Sequence, residues 1–144
     1  MISRRSIIGG VSLAIIGFTS ITNAAEPSVM VIYVSAWDCT YCRVWDRTLW
    51  PEFQSSPEFE KLTWKKISAK SIKTAYEDQF WPQELRRYRD EAALSGGLPR
   101  WLVVKDGKLV FNGRGSVKGA GMTQDYPDWK VDVLPAVQTA LRGP

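Results

Sequence analysis

The sequence predicts one α/β domain, and three observations carry that reading. The segments run in the order strand, helix, strand, helix, strand, hairpin strand, helix. Two of the strands, Val29 to Val34 and Trp101 to Val104, are unbroken runs of apolar β-formers, the mark of strands buried on both faces. Lys105-Asp106-Gly107-Lys108 is a hairpin turn, because Asp-Gly tolerates the positive φ values that a tight turn needs. A chain of 144 residues that is 44% hydrophobic and 12% aromatic has material for one core. Neither an internal repeat nor a low-complexity segment divides it, so a single domain is expected over residues 25–144.

Residues 1–24 read as a cleavable signal peptide, with Arg4 and Arg5 at a basic start and no acid before Glu26. Ile7 to Phe18 is apolar, and Thr22-Asn23-Ala24 supplies small residues for a cut near Ala24. That run of about 12 residues falls short of the roughly 20 that a membrane-spanning helix needs. Ser3-Arg4-Arg5-Ser6-Ile7-Ile8 also resembles the twin-arginine signal of bacteria. A periplasmic or secreted protein is the expectation.

After Glu26-Pro27-Ser28 comes the first strand, then a turn over Ser35 to Asp38. A helix starts near Cys39 and runs to about Trp50, where Pro51 kinks or ends it. Ser56-Pro57-Glu58 reads as a fresh helix start, with Ser as N-cap and Pro at the first helical position. Leu62 to Ile67 is strand-like, and its lysines suit an edge. Ser68 to Gln79 shows no clear period. From Pro82 to Leu94 a helix places Leu85, Tyr88 and Ala92 on one face and stops at Gly96-Gly97. Leu109 to Phe111 pairs back across the hairpin, and Gly113 to Gly121 reads as a glycine-rich loop or bulged strand end. Trp129 to Leu141 closes the chain as a helix with Trp129, Val133, Val137, Ala140 and Leu141 on one face, Asp132 capping a first turn that contains Pro135.

The chain contains no histidine, which removes His-based general bases, Cys-His nucleophile pairs and the commonest metal ligand. Arg43 follows the C-x-x-C where haem attachment requires His, and two cysteines cannot build a four-thiolate zinc site within one chain. The net charge is +4, falling to +2 without Arg4 and Arg5. Basic residues gather at Lys61, Lys65, Lys66, Lys70 and Lys73 and at Arg86, Arg87 and Arg89, but acids are interspersed and no stacking motif accompanies them. They read as a solvated face, and nucleic acid is not expected as a partner.

Cys39-Thr40-Tyr41-Cys42 stands where the first strand hands over to a helix. There the first sulfur meets the helix's N-terminal amides, whose partial positive charge favours thiolate over thiol. The bland alternative is an inert disulfide of an exported domain. A bond between residues three apart closes too small a loop to stabilise much, which favours redox work. In that work Cys39 attacks a substrate sulfur, a mixed disulfide forms and Cys42 resolves it. Cys39 is expected to be exposed and Cys42, one turn in, more buried. A rival class is a binding or delivery module that holds Cu(I) on the same two thiolates. Trp37 and Trp45 flank the motif and read equally well as groove or core.

Two features together resemble the thioredoxin superfamily: the Cys39-Thr40-Tyr41-Cys42 motif after a buried strand, and Gly97-Leu98-Pro99 before the strand that leads into the Asp-Gly hairpin. The resemblance covers nearly all of residues 28–142. It implies a thioredoxin-like fold with a central mixed four-stranded sheet flanked by helices. It also implies a cis-proline loop in which Leu98 and Pro99 bind substrate beside the redox-active Cys39–Cys42 pair. The implied activity is that of a thiol–disulfide oxidoreductase acting on protein thiols and disulfides, as a monomer without metal, nucleotide or flavin, recycled by a membrane or soluble redox partner. The chain departs from the family in three places. Asp38 stands where thioredoxins have Trp, Thr40-Tyr41 replaces Gly-Pro, and Tyr33 takes the place of a buried Asp that serves as proton acceptor. Ser68 to Trp81 reads as an insertion beside the site.

Overall fold

The computed structural model describes residues 28–114 and 129–143. The expected signal peptide over residues 1–24, the expected cut near Ala24 and most of the Gly113 to Gly121 segment lie outside the described residues. Four strands form one sheet: β1 (Val29–Ala36), β2 (Thr63–Ala69), β3 (Arg100–Lys105) and β4 (Lys108–Arg114), in the order β2-β1-β3-β4. β1 and β2 are parallel, whereas β3 is antiparallel to both β1 and β4, so the sheet is mixed. The helices are α1 (Thr40–Thr48), α2 (Trp50–Gln54), α3 (Arg86–Ala93) and α4 (Leu134–Arg142). With β2 as an edge strand, its exposed Lys65 and Lys66 fall where edge lysines are expected.

Seven of the eight β1 residues are buried, because β1 lies between β2 and β3 and packs on both faces. The Asp-Gly turn forms as expected, with Asp106 at φ 49° and Gly107 at φ 76°. Much of the core is aromatic. The Trp45 ring lies 4.6 Å from that of Tyr33, 5.3 Å from Trp101 and 5.2 Å from Trp129, and Trp64 stacks on it at 5.8 Å. The indole N–H groups of Trp45 and Trp101 are buried without a hydrogen-bond partner. The Trp45–Trp101 and Trp45–Trp129 rings meet edge to face, at 62° and 66°.

Local chemistry corrects three expectations. The helix after Cys42 breaks at Leu49, and Pro51 falls in the first turn of α2, where its missing N–H costs nothing. The start at Ser56 yields a single 3-10 turn, Phe59–Lys61; Ser56 Oγ does accept the Phe59 N–H at 3.3 Å, but β2 begins two residues after that turn. Asp132 does not cap the last helix, because Trp129–Val133 already forms a wide π turn that runs into α4, and Val133 stands at the N-cap with no side-chain bond. Trp129, Val133, Val137 and Ala140 are buried as the pattern required, and Leu141 is half-buried.

Candidate functional site at one end of the sheet

Strand directions bring three connections together. Ala36 at the end of β1 pairs with Ala69 at the end of β2, and Val34 pairs with Arg100 at the start of β3. The turn after β1, the segment after β2 and the loop before β3 therefore emerge at the same end of the sheet. They carry Cys39 and Cys42, residues 70–81, and Leu98 with Pro99 respectively.

Cys39 is the N-cap of α1, in extended backbone, and its sulfur accepts the Cys42 N–H at 3.2 Å. The two cysteines form a disulfide, with Cα atoms 5.3 Å apart. Contrary to expectation, exposure does not separate them, since each is 1% exposed. What distinguishes Cys39 is its place on the N-terminal amides of α1, where a thiolate gains from the helix dipole. Among the described residues no group of three His, Cys, Asp or Glu side chains is placed to hold a metal ion.

Asp38 ties the motif to the segment after β2. Its two carboxylate oxygens accept the Ser71 hydroxyl at 2.8 Å and the Ile72 N–H at 2.7 Å. The Trp37 N–H donates to the Ala69 carbonyl at 3.1 Å, while Arg43 donates to the Trp37 carbonyl and, at 3.3 Å, to the Thr40 hydroxyl. The Ser71 hydroxyl is the main cause holding the Asp38 carboxyl below the usual carboxylate range; the Ile72 amide and the Arg43 charge act in the same direction. A depressed carboxyl favours the folded contact above its unfolded value of about 4, and the contribution is lost as pH falls through the depressed value. On acidification the Ile72 amide resonance should shift with a midpoint below pH 4, read by NMR titration. A midpoint at or above 4 would show that the carboxylate is not held as described.

Tyr33 lies beneath the motif, fully buried, and its hydroxyl donates to the Cys42 carbonyl at 3.3 Å. Burial, followed by the neighbouring Asp46 carboxylate, pushes the phenol far above its ordinary value. Tyr33 therefore stays protonated. Asp46, one turn beyond Cys42, pairs with Lys66 Nζ at 2.9 Å. The Lys66 ammonium also sits 5.3 Å from the Tyr33 ring centre.

In the loop before β3 the Leu98–Pro99 bond is cis, Pro99 is buried and Leu98 is half-buried. Three donors hold the residues just before it. Tyr76 donates its hydroxyl to the Gly97 carbonyl at 3.0 Å, and Arg100, only 2% exposed, reaches Gly97 O at 3.4 Å and also bonds the Gly96 carbonyl. Gly97 has φ 79°, a left-handed conformation that favours glycine, and a Cβ there would also press on the Arg114 side chain. Of the flanking tryptophans, Trp45 is core and Trp37 is 71% exposed. Sequence reasoning set Asp38 at the motif and Tyr76 in an insertion beside the site without giving either a role, and it did not single out Arg100. Only Asp38, charged and adjacent to the first cysteine, carried a local signal.

No family model matches the chain, and no curated protein matches it. Among solved structures, the thioredoxin Mala s 13 of Malassezia sympodialis is similar at 14% identity, over 81% of this chain and 80% of that one, with a TM-score of 0.49. The thioredoxin-like fold is carried by the chain's own features, namely the β2-β1-β3-β4 mixed sheet and a C-x-x-C pair at the start of the helix that follows the central strand.

Proposed function

We propose that the chain is a thiol–disulfide oxidoreductase that works through Cys39 and Cys42. The observation that carries this is the disulfide at the N-terminus of α1, in which Cys39 Sγ accepts a backbone N–H of the helix. A loop of this size adds little stability by closure, so its value lies in being made and broken.

In the reducing direction the Cys39 thiolate attacks one sulfur of a substrate disulfide. A Cys39–substrate disulfide forms, and the other substrate sulfur leaves as a thiolate that takes up a proton. Cys42 then gives up its proton, and its thiolate attacks the Cys39 sulfur. The remaining substrate thiolate is released and protonated. Two electrons pass to the substrate, two substrate thiols appear and the Cys39–Cys42 disulfide is formed. The oxidising direction is the same sequence reversed. Leu98 and Pro99, at the same end of the sheet, are the proposed docking residues for an extended substrate backbone, in the manner of strand addition to a sheet edge. A recycling redox partner restores the starting form. Export is part of this proposal, supported by the basic start, the apolar run and the small residues before Ala24. Disulfides persist in such compartments.

Reduced protein mixed with a peptide disulfide should yield peptide thiol in step with its own oxidation, a loss of about 2 Da by mass spectrometry, two hydrogens per disulfide formed. A protein that stays reduced while the peptide disulfide survives would overturn the proposal.

A further inference from the structure

Arg100, the first residue of β3, is a guanidinium only 2% exposed, and every acceptor it reaches is neutral. It bonds the Gly96 carbonyl, the Gly97 carbonyl at 3.4 Å and Asn112 Oδ1, and among the described residues no acid pairs with it. Asn112 in turn donates its amide to the Glu91 carbonyl at 3.3 Å, which ties the fork to β4 and α3. A buried charge without a counter-charge is costly. An apolar side chain there would avoid the desolvation altogether, so stability alone does not explain the cation.

What the cation holds is one face of the loop before β3. The Gly97 carbonyl also accepts the Tyr76 hydroxyl at 3.0 Å. Burial raises the Tyr76 phenol above its ordinary value, which keeps this second donor protonated at neutral pH. Gly97 C=O and Leu98 N–H belong to one planar peptide group, and in this trans peptide they point in opposite directions. Fixing the carbonyl against Tyr76 and Arg100 therefore fixes the Leu98 N–H, aimed away from both. Among the described residues that N–H donates to nothing. A cation on the carbonyl also polarises the peptide group and strengthens its N–H as a donor.

Resting on the redox reading and on Leu98 as a docking residue, we infer that Arg100 is a positioning residue for polypeptide substrates. It acts through the Gly97–Leu98 peptide, together with Tyr76, to aim the Leu98 N–H at a backbone carbonyl of the substrate. A disulfide without a peptide backbone gains nothing from that donor. Arg100 thus sets how far polypeptide disulfides are preferred over small ones.

The test compares kcat/KM for a peptide disulfide and for hydroxyethyl disulfide, which has no peptide group, in the wild type, Arg100→Met, Arg100→Lys and Tyr76→Phe. Arg100→Met should lower the peptide-to-small ratio by roughly tenfold or more, the scale of a lost substrate-positioning contact. The loss should come from a higher KM for the peptide rather than a lower kcat. Arg100→Lys keeps the charge without the planar fork and should recover only part of the ratio. Tyr76→Phe removes one bond to the Gly97 carbonyl with the ring left in place, and should lower the ratio by less. A ratio that keeps its wild-type value in Arg100→Met overturns the inference, and so does a loss that falls equally on both substrates. If Arg100→Met does not fold, a wild-type ratio in Arg100→Lys and Tyr76→Phe overturns it instead. If the wild type reduces neither disulfide, the redox reading fails and this inference falls with it.

Discussion

Cys42→Ser should accumulate mixed disulfides with its substrates, whereas Cys39→Ser should trap almost none and lose turnover by more than about a thousandfold, the scale of loss when a nucleophile is removed. The asymmetry follows from position, since equal burial of the two sulfurs excludes exposure as its cause. Cys39 caps α1 and its sulfur accepts a helix N–H, so its thiolate gains from the helix dipole. Cys42 sits one turn in, its carbonyl held by the Tyr33 hydroxyl. Without Cys42 the first exchange proceeds and the second cannot, and the substrate stays attached. Non-reducing gels followed by mass spectrometry read the outcome. Equal trapping by the two variants would show that the roles are not assigned by the helix end.

Trp45→Ala should destabilise the domain by about 3–5 kcal/mol, the usual cost of truncating a fully buried aromatic side chain. Trp45 is 0% exposed and its ring contacts those of Tyr33, Trp50, Trp64, Trp101 and Trp129, so the void would open inside the aromatic cluster and strip five ring contacts at once. Against a total stability of roughly 5–15 kcal/mol the loss is large enough to leave part of the protein unfolded at 37 °C. Trp37→Ala, at 71% exposure, should move stability by no more than about 0.5 kcal/mol. Urea denaturation of both variants checks the pair. A cost below about 1.5 kcal/mol for Trp45→Ala would mean that the cluster can collapse around the void.

The parts of this protein that were legible in its sequence are those whose structure follows from local pattern. The unbroken β-formers of Val29 to Val34 announced a strand covered on both faces, Asp106-Gly107 announced a tight turn, and Leu85, Tyr88 and Ala92 announced a buried face, although the expected Pro82 to Leu94 helix begins as a 3-10 turn, Gln83–Leu85, and Leu85 precedes α3. The C-x-x-C at a strand-to-helix join placed the disulfide for the same reason. Residues 70–81 were unreadable because long-range bonds order them, Asp38 to Ser71 and Ile72 at one end and Tyr76 to Gly97 at the other. Neither leaves a period in the sequence. The burial of Cys39 was missed because a helix start is usually open, and only the packed fold shows what covers it. Asp132 misled because cap chemistry assumes an ordinary first turn, while the chain enters α4 through a wide turn begun at Trp129. Tyr33 stood out as a departure from the family pattern, yet its bond to the Cys42 carbonyl could not be read from composition.

The central claim is that the Cys39–Cys42 bond is made and broken in use, and equilibration of the protein with glutathione redox buffers tests it most directly. Alkylation and mass spectrometry give the oxidised fraction at each poise. The account predicts a reversible two-electron titration with a midpoint between about −120 and −270 mV, the span of working dithiol couples. A pair that stays oxidised below about −300 mV would be a structural disulfide, and the redox account would be contradicted.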